Sequence, residues 1–139
     1  MEAMIPYPTK ASKLSGTSYR EVRRNAELAF KPIKRATHRT PYVRSAYFSK
    51  QKVFFNFFWD HIIQKSFPDR VRRLKYFACA IELIRRSRSQ PILFENPSRR
   101  SEILHRFAGL SHEGELFFVQ IKEDKKTGRK YLISVFPEN

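Results

Sequence analysis

The spacing of apolar residues changes near residue 100, and that change restricts the folds open to this chain. Before it, apolar side chains recur at three- and four-residue steps, most clearly in Val71, Leu74, Phe77, Ala78, Ile81 and Ile84. That spacing lines one face of a helix. After it the period is two. Ile103 to Ala108, Leu116 to Lys122 and Tyr131 to Phe136 each alternate as a half-buried strand does. The last two are joined by Lys125-Lys126-Thr127-Gly128, where Gly128 can take the left-handed position of a bulged hairpin. Helices before strands is an α+β order. The expectation is N-terminal helices packed on one face of a C-terminal three- to four-stranded antiparallel sheet.

Local signals divide the rest. Residues 1–18, with Pro6, Pro8 and Gly16, read as a flexible lead. Ser18 and Glu21 have capping-box spacing, so a helix is predicted from Tyr19 to Phe30, stopped by Pro32. Residues 31–47 form a basic arm carrying Arg35, Arg39 and Arg44, with Tyr42 and Tyr47 interleaved. Such an arm can lie along phosphates, or pack its rings on the body and leave its charges in water. Ser49 is a candidate cap for a second helix reaching about Lys65, apolar nearly all round and therefore core in preference to a row of stacking rings. A third helix is predicted from Asp69 to about Ser89, with Arg72 and Arg73 off its apolar stripe, and residues 90–100 read as a loop. The expected division is a basic, partly flexible extension over 1–48 and a helix-helix-sheet domain over 49–139.

Composition sets the class of partner. Lys plus Arg number 28 against 13 Asp plus Glu, a formal charge of +15 in 139 residues. That much like charge repels itself in a compact state, so a polyanion is the economical partner, against the bland reading of a solvated basic surface. Thirteen Phe exclude a merely disordered basic tail. Cys79 is the only cysteine, which excludes an intramolecular disulfide and a cysteine zinc site and fits a reducing, cytoplasmic setting. No apolar run is long enough to span a bilayer, Met1 to Tyr7 has no signal pattern, and no membrane partner is expected. No paired-carboxylate motif or Gly-rich phosphate loop occurs, so neither metal nor cofactor is expected.

Alternation assigns the sheet faces. Phe117, Val119 and Ile121, with Tyr131, Ile133 and Val135, should face the helices. Gln120, Lys122, Lys130, Leu132 and Ser134 should lie on the open face, with Gln120 opposite Ser134 and Lys122 opposite Leu132. In the first strand either His105 or Arg106 is buried. An unpaired buried Arg costs more than a hydrogen-bonded neutral His, so Arg106 belongs on the open face. Cleaving RNA without a metal needs a group to take the 2′-hydroxyl proton, a cation for phosphate charge and a donor to the leaving oxygen. Arg106, Lys122, Ser134 and Tyr131 are candidates, with His61 or His105 as the acid-base group, although a lone helical His is more often a packed or surface residue.

The C-terminal half resembles a known group. The pieces are His61 with Phe67-Pro68-Asp69, the following helix, Gln90-Pro91, the strand ending in Lys122, and Ile133-Ser134-Val135-Phe136-Pro137. This run, over roughly residues 55–137, resembles the phage-associated barnase/EndoU/colicin/RelE-like (BECR) nucleases, small metal-independent RNases and toxins. The resemblance implies catalytic roles for Lys122, Ser134 and His61; Arg106 is added by the face argument. Arg35, Arg39, Arg44, Arg72, Arg73 and Lys130 are the expected nucleic-acid contacts. The expected partners are RNA, such as tRNA or another structured RNA, and an acidic antitoxin protein covering the cationic face. The competing expectations are a non-catalytic nucleic-acid-binding protein of a mobile element or ribonucleoprotein, and a basic surface that meets an acidic protein.

Overall fold

A computed structural model describes residues 4–138; residues 1–3 of the lead, and with them part of the segment read for a signal, lie outside the described residues, as does Asn139. The three period-two segments form an antiparallel meander of β5 (Glu102–Leu110), β6 (Leu116–Asp124) and β7 (Lys130–Pro137). Gly128 takes φ 75° in the turn before β7, a region most side chains avoid.

The expected three- to four-stranded antiparallel sheet is overturned. Among the described residues the sheet has seven strands and is mixed, in the order β1-β5-β6-β7-β3-β2 with β4 also on β5. The additional strands come from segments with other local readings. β1 (Tyr7–Pro8) lies in the lead and pairs parallel with β5. β2 (Tyr42–Ser45) lies in the basic arm, and β3 (Gln51–Phe54) replaces the start of the predicted aromatic helix. These two form a hairpin that joins the meander through a parallel β3–β7 pairing. β4 (Ile92–Glu95) lies in the predicted loop and pairs with β5. Strands this short carry little periodicity of their own; their backbone groups are satisfied by distant partners.

The helices are corrected as well. α1 (Tyr19–Ala36) runs through Pro32, with Ser18 Oγ accepting from the Glu21 amide as its cap. Pro32 sits on the exposed face, where water can meet the carbonyl left without a donor, while buried Phe30 and Ile33 hold the turns on either side. α2 (Asn56–Ile62) is only the end of the expected aromatic helix. The long third helix is two, α3 (Phe67–Leu74) and α4 (Phe77–Arg86), separated at Lys75 and Tyr76.

α1, α4 and the inner sheet face share one core. Val22, Ala26 and Phe30 of α1 join Phe77, Leu83 and Ile84 of α4 against Phe107, Phe117, Val119 and Leu132. Phe30, Phe55, Phe58, Trp59 and Phe77 form a ring cluster with centroids 5.1 to 6.0 Å apart, so most of the aromatic run is core.

A register shift between Gln120 and Ile121 leaves Ile133 as an extra residue on β7. It reverses the expected facing of the residues before it. Leu132 and Lys130 turn inward and are buried, and Tyr131, not Leu132, stands opposite Lys122. Ser134 stays opposite Gln120, as alternation had it.

Candidate active-site cleft

Two cross-strand rows meet on the outer face. One runs Ser134, Gln120, Arg106; the next runs Tyr131, Lys122, Leu104. Residues that pair across strands share a face, so both rows point away from the core. His105, one position before Arg106, points inward, is buried, and its Nε2 lies 2.8 Å from Glu123.

Against these rows stand α2 and the loop after β4, enclosing a cleft of about 500 Å³. Phe57, Asp60 and His61 of α2 form one wall, Asn96, Arg99 and Glu102 another, and Leu104, Gln120, Lys122 and Ile133 the floor. α2 reaches this position because Phe55, between β3 and α2, is a buried anchor; its amide donates to Pro41 O, and its carbonyl accepts from the Phe58 amide to start the helical turn. The Lys122 ammonium lies 4.4 Å from the centre of the Phe57 ring and 5.5 Å from that of Tyr131, and pairs with Glu102 at 3.3 Å. Arg99 approaches the same carboxylate at 3.7 Å. His61 is half-buried. Burial, helped by the charges of Lys65 and Arg73, holds its imidazole below the ordinary value of 6.5, which favours the neutral ring at pH 7.

Arg106 and Ser134 flank Gln120 beside the cleft. Arg106 donates to Gln120 Oε1 at 3.2 and 3.1 Å and stacks between Phe94 and Phe136, 4.6 and 5.3 Å from their centroids. Ser134 is buried, and its Oγ accepts from Arg73 Nη1 at 2.9 Å. Arg73 also lies over the Phe136 ring, 5.5 Å from its centroid, and pairs with Asp69 at 3.1 Å. Burial would raise the Asp69 carboxyl, but the hydrogen bonds and charges of Arg72 and Arg73 hold it below its usual value.

Of the sequence candidates, His61 and Lys122 line one cleft, and Arg106 and Ser134 border it. Arg73, expected as a phosphate contact, instead reaches the Ser134 hydroxyl. Lys130 is buried, its ammonium donating to Gly128 O at 2.8 Å and Gln51 Oε1 at 2.5 Å. Arg35, at the end of α1, and Arg39, just beyond it, are exposed, as are Arg44 and Arg72, and none of these four lines the cleft. Glu102, Arg99 and Phe57 were missed. Nothing local marks the first two, and Phe57 lay within a run read as core. Among the described residues no group of three or more His, Cys, Asp or Glu is gathered as a metal site. Comparison with protein-family models, with curated proteins and with solved structures finds no match to this chain.

Proposed function

We propose that this chain is a metal-independent endoribonuclease of the BECR kind, cleaving RNA in the cleft between α2 and β6. The observation that carries the reading is the meeting of His61 and Lys122, from distant parts of the chain, in one cavity. The neutral His61 imidazole takes the proton of the ribose 2′-hydroxyl. The 2′-oxygen attacks phosphorus, the bond to the 5′-oxygen breaks, and a cyclic phosphate is left. Lys122 supplies positive charge and a proton for the departing oxygen, while Arg73 and Arg106 add charge beside the cleft. Ser134 is a positioning residue, since its hydroxyl is occupied by Arg73.

One observation favours a second reading, a non-catalytic RNA-binding protein: the Lys122 charge is already paired with Glu102. Incubation with RNA in the presence of chelator separates the two. The nuclease reading expects discrete fragments ending in cyclic phosphate, with Lys122→Ala slowing cleavage by about 10²- to 10³-fold. Intact RNA, or full activity in both Lys122→Ala and His61→Ala, overturns it.

A further inference from the structure

A concentration of unpaired charge lies outside the cleft. A groove of about 1020 Å³ runs beside the β2–β3 hairpin and the C-terminal ends of α1 and α4. Arg44, Lys50, Arg85, Arg86 and Arg88 line it, and among the described residues no carboxylate does. All five are exposed, and among the described residues none forms an ion pair. Arg85 and Arg86 sit in the last turn of α4, where the helix dipole accounts for a cation. It does not account for Arg88 beyond the helix, or for Arg44 and Lys50 on the hairpin. Lys50 is held at φ 68° and Ser49 at φ 55°, a conformation costly for residues other than glycine. Five like charges around one groove repel one another unless an anion lies between them.

We infer that this groove is a second RNA site, which holds the phosphodiester backbone of the strand whose other end enters the cleft. The inference rests on the RNA reading of the cleft. The outer sheet face favours RNA over an acidic polypeptide. Tyr42 at the groove carries Arg44 and Lys52 over its ring at 5.5 and 4.7 Å. Register then sets Tyr42, Phe54, Tyr131 and Lys122 in one row across β2, β3, β7 and β6. The ring centroids are 5.8 and 5.9 Å apart. Rings flanked by cations form a surface on which bases stack whatever their sequence. Three strand spacings of about 4.8 Å make the row about 14 Å long. Stacked nucleotides spaced about 3.4 Å apart would cover it with about four residues.

The test measures binding of a 2′-O-methyl RNA oligonucleotide, which lacks the nucleophile and stays intact, to the full chain at a series of salt concentrations. Arg44→Gln/Arg86→Gln/Arg88→Gln should lower the slope of log affinity against log salt by about 2, near 0.7 per lost phosphate contact on a single strand. Lys125→Gln/Lys126→Gln/Arg129→Gln, on the exposed β6–β7 turn, removes the same charge and should change the slope far less. Equal effects of the two triple variants overturn the inference, as does equal competition by polyglutamate. On the unaltered protein, the amide signals of Ser49, Lys50 and Arg88 should shift on adding the same oligonucleotide. Shifts confined to the cleft overturn the groove even if the triple variant fails to fold. Groove-dependent binding without cleavage of ordinary RNA refutes the nuclease and leaves the groove standing; cleavage without groove dependence does the reverse.

Discussion

Replacing Lys130 with Met should cost stability and leave RNA binding alone. Lys130 is 5% exposed. Its ammonium donates to Gly128 O and Gln51 Oε1 and lies 3.7 Å from Glu123, whose other oxygen meets His105. Met keeps the unbranched stem but removes the charge and both hydrogen bonds. Hydrogen bonds from a charged donor contribute about 1.5–3 kcal/mol each, and breaking a buried pair costs about 3–5 kcal/mol. Glu123 is 24% exposed at its side chain, so water recovers part of the loss. A net cost of about 3 kcal/mol follows, which for a chain of this size lowers Tm by about 10 °C. Thermal unfolding followed by circular dichroism measures it, and salt-dependent RNA binding on the same samples should keep its slope. Adding Glu123→Gln should cost less than the sum of the two single changes, because the stranded carboxylate is removed too. A Tm drop below about 3 °C together with a reduced slope refutes the reasoning and returns Lys130 to the RNA surface.

Three further outcomes are expected. The neutral His61 implies an acid limb of cleavage lying below pH 6.5, absent in His61→Gln; because its folded-state pKa is the depressed one, the unfolded chain binds more protons, so the stability it contributes is full above pH 6.5 and is lost as pH falls. A limb above 6.5 contradicts the site. Gly109→Ala would put a Cβ 2.5 Å from Phe117 and 2.7 Å from Leu83, so urea unfolding should record a loss of about 1–3 kcal/mol, and an unchanged midpoint would mean that the core yields there. Pro32→Ala restores a donor inside α1 on its exposed face and should raise stability by about 1–3 kcal/mol in the same assay; a loss would mean that Pro32 sets the path of the chain.

The meander was legible because its three strands alternate over enough residues to declare a period, and Ser18, Glu21 and Gly128 mark ends and turns by their own chemistry. The comparison of a buried Arg with a buried His also placed Arg106 from sequence, since that cost is local to the residue. Pairing is a different matter. Tyr7 and Pro8 become a strand only because Gly109 and Leu110 lie beside them, and Ile92 to Glu95 only because β5 offers an edge. Gln51 to Phe54 was hidden in an apolar run whose remainder is helical.

What the sequence by itself determined is the inward face of β6, the strand meander, the excess of positive charge and the residue types available for chemistry. Tertiary structure alone decided that seven strands form one mixed sheet, that an extra residue on β7 buries Lys130 and turns Tyr131 toward Lys122, and that α2 brings His61 to the same cleft. The reason is physical. A residue's polarity and its spacing from near neighbours are written along the chain, whereas the partner that satisfies a backbone group or buries a charge depends on where distant segments return.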